Sequence, residues 1–290
     1  MGFKKIFRLL KETFKEWQED KSSSLAAALA YYTVFSLAPL LIIVIAIAGA
    51  IFGEEAARGE IVGQIQGLVG KQGATVIEEA IQNADQPQIS SIASIFSIIF
   101  LLMGASGVFL HLQESLNAIW NVKAQPKNGI AGFIRKRILS FSAVLGIGFL
   151  LLVSLILSAA ISAMSNYLSG LIPGADFLWQ ILNFVVSFGV ITLLFALMFK
   201  FLPDAKIQWS DVWIGSLITA FLFTIGKFAL GLYLGRGSFG STYGAAGSLV
   251  IILAWVYYSA QILFFGAEFT QVYARKYGSR IVPDEHAIRV

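Results

Sequence analysis

The stretch Ser22–Gly53 reads SSSLAAALAYYTVFSLAPLLIIVIAIAGAIFG and contains no charged residue in 32 positions. As one α-helix it would measure about 48 Å, whereas the hydrocarbon core of a bilayer is about 30 Å thick. An uncharged apolar run of this length is typical of a transmembrane helix rather than of a soluble core. The stretch therefore predicts a membrane protein whose first span is unusually long.

The composition of the whole chain agrees with this prediction. The 290 residues are 57% hydrophobic and 13% charged, and the mean hydropathy is +0.76. An ordinary soluble domain has about 45–50% apolar and about 25% charged residues. With 24 phenylalanines, 27 glycines and only 6 prolines, the chain favours packed helices over a barrel of alternating strands. We predict an all-α, polytopic membrane protein.

Six segments are long and apolar enough to span a bilayer. They cover approximately residues 25–52, 89–110, 138–164, 178–199, 212–234 and 247–269. Of the 21 lysines and arginines, 17 fall in the connections and ends on one side of these spans and 3 on the other. Cytoplasmic segments accumulate such residues, so both termini are predicted to be cytoplasmic.

The spans divide the chain into three parts. Residues 1–21 form a polar arm, 22–270 the six-helix transmembrane domain and 271–290 a cytoplasmic basic tail. Within the domain, residues 53–88 are predicted to form short extracytoplasmic helices with amphipathic spacing.

The arm has apolar residues at helical spacing among lysines and glutamates: Phe3, Phe7, Leu10, Phe14 and Trp17. This pattern predicts an amphipathic helix in the cytoplasmic interface, with its aromatic residues among acyl chains and its lysines near anionic headgroups. The alternative is a helix packed on the cytoplasmic face of the protein itself.

Pro39 lies within the first span, where it removes a backbone donor and clashes with the carbonyl of Phe35. Two interpretations remain open. The helix is tilted and kinked, with Ser36 satisfying a freed carbonyl. Alternatively, it is discontinuous at Pro39 and its exposed backbone lines a substrate site, as in many transporters.

Lys227 is a cation inside the fifth span, about 12 Å from the predicted outer end. No acidic residue is predicted at that depth, so it either binds an anion or extends its ammonium group to the headgroups. With the polar residues of spans four and six and the residues around the proline, the candidate substrate-binding set is Lys227, Asn183, Ser187, Tyr258, Gln261, Ser36 and Pro39.

A second polar group is predicted at the cytoplasmic ends of spans two and six: His111, Glu114, Asn117 and Glu268. His111 and Glu114 are three residues apart and could relay a proton or bind a metal weakly, although a solvated helix end explains them as well. For Glu268 we expect an anchoring contact with a basic inner loop.

Catalytic and cofactor sites are not predicted. The chain has no cysteine and two histidines, which excludes a disulfide framework and leaves a metal site almost without ligands. The stretch 235–240, GRGSFG, has the spacing of a dinucleotide fingerprint but follows a membrane span instead of a strand. We therefore predict no catalytic residues, no metal and no cofactor.

Several motifs resemble those of the bacterial BrkB/YihY family of membrane proteins. They are Ala26–Leu40 (AAALAYYTVFSLAPL), Leu116–Trp120 (LNAIW), Leu202–Asp204 (LPD), Tyr243–Ser248 (YGAAGS) and Gly266–Glu268 (GAE), and the match runs from about Phe14 to Tyr277. The resemblance implies a six-helix protein of the bacterial cytoplasmic (inner) membrane. The family was long labelled ribonuclease BN, which is regarded as a misassignment, and its members are linked to serum resistance and envelope lipid handling. It supplies no catalytic residues.

Taken together, these features predict a transporter or flippase-like protein for an anionic lipid or another amphiphilic anion. A non-transporting membrane scaffold or envelope assembly factor is the alternative. A ribonuclease is a third hypothesis, but the predicted cytoplasmic acids lack the grouping that a metal-dependent nuclease needs. The expected partners are anionic membrane lipids and no nucleic acid, and a homo-oligomer is compatible with the sequence.

Overall fold

A computed structural model of the chain describes residues 3–53, scattered positions between 55 and 79, and residues 91–125, 176–236 and 247–290. The predicted third span, 138–164, lies outside the described residues. So do most of the predicted extracytoplasmic segment and the glycine-rich loop 237–246.

The described part of the chain is mostly helical. Its long helices are α1 (Phe3–Glu19), α2 (Ser22–Phe52), α3 (Ser91–Ile119), α4 (Asp176–Phe201), α5 (Trp209–Arg236) and α6 (Gly247–Lys276). Helices α2 to α6 lie over five of the six predicted spans. In the described residues, three segments are long and apolar enough to cross a membrane: Trp179–Phe201, Trp209–Leu230 and Leu249–Lys276. The prediction of a helical protein with membrane-spanning helices is confirmed at this level.

Helix α2 runs without interruption through Pro39 for 31 residues. The hypothesis of a helix that is discontinuous at Pro39 is therefore wrong. Ser36 does not bond within its own helix, because its hydroxyl donates to the carbonyl of Gly104 on α3 at 2.6 Å. Helix α2 packs against both α3 and α6, so its two halves stay aligned although one backbone bond is missing. The side chain of Pro39 is not among those that the structure describes.

Helices α5 and α6 approach each other closely through two reciprocal glycine–threonine contacts. A Cβ atom built on Gly215 would collide with Thr270, and one built on Gly266 would collide with Thr219. Each threonine hydroxyl donates to the carbonyl four residues earlier in its own helix, at 2.8 Å for Thr219 and 2.7 Å for Thr270. Small residues at these positions allow the two backbones to pack together, which is how helices associate in membranes.

The segment after α6 folds back onto two connections of the chain. Four short strands are present in the described residues: β1 (Val122–Ala124), β2 (Ala205–Lys206), β3 (Val282–Pro283) and β4 (Ala287–Arg289). The antiparallel pairs are β1 with β4 and β2 with β3. Asp211, at the start of α5, accepts hydrogen bonds from the Ser279 backbone N–H at 3.0 Å and hydroxyl at 2.9 Å. The C-terminal segment thus ties the ends of α3, α4 and α6 together.

Candidate functional site

Polar side chains from distant parts of the chain meet at the end of the helix bundle where its N- and C-terminal segments lie. We call this group the polar junction and define it by Asp20, Ser22, Gln113, Asn117, Asp204 and Glu268. The indole N–H of Trp120 donates to the carbonyl of Ala267 at 3.1 Å and joins the end of α3 to α6 beside Glu268. Three of the motifs that carry the family resemblance, LNAIW, LPD and GAE, therefore converge at this junction.

Glu268 is the most deeply buried acid of the junction. It has no exposed surface, and its Oε1 accepts a hydrogen bond from the hydroxyl of Ser22 at 3.2 Å. The carboxyl group of Asp20 lies next to it, and the second oxygen of Glu268, Oε2, has no hydrogen-bond partner among the described residues. The sequence predicted an anchoring contact between Glu268 and a basic loop. Most of the basic residues of the connection after α3 lie outside the described residues, so that contact stays a prediction. Among the described residues, Glu268 lies against a hydroxyl and another acid, because the turn between α1 and α2 lies over this face of α6.

Asp20 lies in that turn and is half-buried. Burial raises the pKa of Asp20 above its ordinary value, and the nearby charges of Glu16 and Glu19 raise it further, while the contact with Glu268 has the opposite effect. A carboxyl group that is removed from water and surrounded by other acids holds its proton more tightly. The junction thus contains an acid that is biased toward its neutral form.

Asn117 and Asp204 form a reciprocal pair between α3 and the connection that follows α4. The Asn117 amide donates to Asp204 Oδ2 at 2.8 Å, and the Asp204 backbone N–H donates to Asn117 Oδ1 at 2.8 Å. Gln113, one turn earlier, donates to Asp204 Oδ1 at 3.2 Å. Paired in this way, the carboxylate has a structural role, which is to hold the α4–α5 connection against α3.

Of the predicted group His111, Glu114, Asn117 and Glu268, the structure places Asn117 and Glu268 at the polar junction but gives them different partners, and His111 and Glu114 are not part of the junction. The Nε2 atom of His111 lies 3.3 Å from the carbonyl of Leu25, and its ring lies 4.8 Å from that of Tyr32. Glu114 is exposed. Among the described residues, no three histidines and acids are close enough to hold a metal ion.

Sequence reasoning did not assign a role to Asp20, Ser22 or Asp204. Asp204 belongs to the LPD motif, and this motif was the feature of the sequence that could have drawn attention to it. For Asp20 and Ser22 no local signal exists, since their partner is 246 residues from Ser22 along the chain.

Lys227 is exposed on α5. Within the described part of the chain it makes no hydrogen bond or ion pair. Of its predicted neighbours, Asn183 is exposed, Ser187 and Gln261 are half-buried, and none is bonded to it. Tyr258 is half-buried and packs against α5 at Gly226, the residue before Lys227. A Cβ atom built on Gly226 would come within 2.6 Å of the hydroxyl oxygen of Tyr258. Lys227 therefore belongs to an open surface next to a helix contact.

Helix α1 has one side on the protein and one side free. Leu9 is 2% exposed and packs with Phe269 and Val272 of α6, while Glu12 and Glu16 form ion pairs with Arg275 at 2.8 and 2.9 Å. Lys276 also pairs with Glu12. The docking of α1 on the protein, one of the two alternatives from the sequence, is thus present. It involves the side of the helix opposite the aromatic residues.

The free side of α1 carries the aromatic stripe. The exposed fraction is 64% for Phe7 and 50% for Phe14. Next to this stripe, Lys4, Phe7, Arg8 and Lys11 line a shallow groove of about 430 Å³. The helix therefore presents an apolar face and a basic face side by side, which is the pattern of a helix at a membrane surface.

Comparisons with known proteins agree with this architecture. Residues 13–289 match the family described as virulence factor BrkB. The chain is 30% identical to a UPF0761 membrane protein of Verminephrobacter eiseniae over 92% of this chain and 62% of the relative. It is 29% identical to one of Teredinibacter turnerae over 95% and 63%, and 28% identical to one of Rhodospirillum centenum over 85% and 53%.

The chain spans between 53% and 63% of the lengths of these three relatives. No solved structure matches it. The family match covers nearly the whole chain and includes the motifs that meet at the polar junction. The protein is a membrane protein and belongs to the virulence factor BrkB family.

Proposed function

We propose that this chain is a transporter or flippase-like protein for an anionic lipid or another amphiphilic anion. It would act in the bacterial inner membrane with both termini in the cytoplasm. The proposal includes no catalytic step and no cofactor. Its main support is the position of Lys227, a cation on the exposed surface of a helix that is able to cross the membrane.

The surroundings of Lys227 are apolar and face outward. Phe221, Ile225 and Phe228 on the same helix are all more than half exposed. An ammonium group on such a surface is costly in hydrocarbon unless an anion accompanies it. Lys227 is nine residues from the end of α5 at Arg236, which corresponds to about 13 Å. A lipid phosphate that leaves the headgroup layer along α5 could neutralise it at this depth.

Helix α1 supports the choice of an anionic lipid as partner. Its basic groove beside exposed aromatic residues suits a surface of acidic headgroups, which attract clustered lysines by about 1 kcal/mol each. Because α1 is held to α6 by ion pairs, this contact would keep the protein at a surface rich in the proposed substrate.

The alternative function is a non-transporting scaffold or assembly factor. It is favoured by the close contact between α5 and α6 and by the C-terminal strands, which make a rigid body and require no substrate. The two functions differ in what Lys227 is expected to do.

The test is lipid movement in vesicles that contain the purified full chain. Fluorescent phosphatidylglycerol should cross the bilayer faster with wild-type protein than in protein-free vesicles, and fluorescent phosphatidylcholine should gain less. Lys227→Met removes the charge but keeps an apolar stem, so it should reduce the phosphatidylglycerol rate at least tenfold. Lys227→Arg should keep part of the rate, because a guanidinium group also binds phosphate.

Lys123→Met is the matched control, since Lys123 is also exposed but lies in β1, outside the helices. It should leave the rate unchanged. Equal rates for wild type and Lys227→Met would show that Lys227 does not contact the substrate. No movement of either lipid with wild-type protein would favour the scaffold.

A further inference from the structure

Two carboxyl groups of the polar junction lie next to each other, and among the described residues no basic side chain pairs with either of them. Glu268 on α6 has no exposed surface, and Asp20 reaches it from the turn between α1 and α2. The Oε2 atom of Glu268 and the Oδ2 atom of Asp20 are buried and receive no hydrogen bond. Within the described residues, the donor to this pair is the hydroxyl of Ser22, which serves Glu268 Oε1.

The charged groups around this pair make full ionisation unfavourable. The acids near this pair are Glu16, which acts on both carboxyl groups, and Glu19, which acts on Asp20. Glu16 is paired with Arg275 and Glu19 with Lys15, so neither brings a cation to the pair. The bases at the end of α6 are occupied elsewhere, since Arg275 binds Glu12 and Glu16 and Lys276 binds Glu12. Two acids in contact without a cation cannot both be charged, and one proton between them removes the repulsion.

We propose that Asp20 and Glu268 form a proton-binding site in which the two carboxyl groups share one proton. The proton supplies the hydrogen bond that the two acceptor oxygens lack. It also fastens the α1–α2 turn to α6. Release of the proton would place two negative charges in contact and push α1 away from α6. The site does not include Lys227, so the proton-binding proposal can be tested independently of the proposed lipid transport.

The sign of the pH effect follows from the direction of the Asp20 shift. An acid whose pKa is raised in the folded state binds more protons there than in the unfolded chain at intermediate pH. Stability should therefore fall as the pH rises from the ordinary aspartate pKa toward the raised one. For one proton, the unfolding equilibrium constant increases at most about tenfold per pH unit in this window.

The first experiment follows thermal unfolding of the full chain in lipid nanodiscs between about pH 4 and about pH 9. The melting temperature of the wild type should decline with rising pH more steeply than that of Glu268→Gln, in which the amide donates to Asp20 without titrating. Glu114→Gln is the control, because Glu114 is exposed on the neighbouring helix α3, and its profile should follow the wild type.

The second experiment detects the proton directly by infrared difference spectroscopy. The wild type near neutral pH should show the carbonyl band of a protonated carboxyl group, shifted in D₂O, and this band should be missing in Glu268→Gln. In Asp20→Asn the band should move to a different frequency, because the buried carboxyl group of Glu268 keeps its proton but faces an amide instead of a carboxylate. If Glu268→Gln does not fold, the wild type and Asp20→Asn decide the question. The proposal is wrong if the wild type has no such band, if the band persists in Glu268→Gln, or if its frequency is unchanged in Asp20→Asn.

Discussion

Polar side chains have opposite surroundings at the polar junction and on the C-terminal half of α5. At the junction, Asn117 and Asp204 satisfy each other, and Glu268 is enclosed by the first turn of α2. On α5, Lys227 stands exposed among apolar residues without a bond to any residue that the structure describes. A polar group that is paired inside the protein contributes to folding, whereas an unpaired one at the surface is available to a ligand. The difference distinguishes residues that stabilise the fold from residues whose polar group is free to contact a second molecule.

The polar junction and the end of α5 near Lys227 are predicted to face opposite sides of the membrane. Helix α2 runs from the junction at Ser22 to Phe52, so Glu55 lies beyond its far end and Lys123 near the junction. Because the chain has no cysteine, Glu55→Cys and Lys123→Cys are single-cysteine proteins without further changes. In intact cells a membrane-impermeant thiol reagent should label Glu55→Cys and leave Lys123→Cys unlabelled until the membrane is opened. The reverse pattern would invert the predicted orientation.

Replacing Asn117 at the junction and replacing Asn183 on α4 should change the stability of the protein by very different amounts. Asn117→Ala removes both bonds between the buried Asn117 and the Asp204 segment and leaves a half-buried carboxylate with fewer donors, so we expect a loss of about 2–4 kcal/mol in the free energy of unfolding. Asn183→Ala on the exposed surface of α4 should change it by less than about 0.5 kcal/mol. Denaturant titration in detergent measures both variants. Similar losses would mean that the junction contributes less than its hydrogen bonds indicate.

A smaller difference in stability is expected between alanine substitutions at two glycines on membrane-spanning helices. Gly266→Ala pushes a methyl group against Thr219 and should cost about 1–3 kcal/mol, because the two helix backbones must separate. Around Gly189 on α4, no atom lies within 4 Å of the position that a methyl group would take, so Gly189→Ala should be neutral or stabilising by up to about 1 kcal/mol. Thermal unfolding compares them, and Thr219→Ala should restore part of the loss in Gly266→Ala. Equal melting temperatures for the two alanine variants would contradict the close contact.

The sequence was informative where hydrophobicity and periodicity act over short distances. The apolar runs anticipated the positions of α2 to α6, since a helix in lipid must satisfy its own backbone and cover its length with apolar side chains. The spacing of Phe7, Leu10 and Phe14 predicted the apolar stripe of α1, and these three side chains are exposed. These features depend on residues within a few turns of one another.

The sequence was less informative where a side chain takes its partner from another part of the chain. It grouped His111, Glu114, Asn117 and Glu268 by their depth in the spans, but depth does not fix the direction in which a side chain points. In the structure, Asn117 is hydrogen-bonded to Asp204, and Glu268 accepts a hydrogen bond from Ser22 and lies next to Asp20. It also keeps α2 continuous at Pro39, because packing against two neighbouring helices outweighs one missing backbone bond.

The sequence by itself thus determined that this is a helical membrane protein with an amphipathic N-terminal helix, and its motifs indicated the family. Only the tertiary structure decided that Asp20 and Glu268 lie next to each other and that, among the described residues, neither they nor Lys227 has a partner of opposite charge. The physical reason is that the cost of transferring a segment into lipid is a sum over its own residues. The state of a carboxyl group or an ammonium group depends instead on the charges and donors that the fold brings within a few ångströms of it.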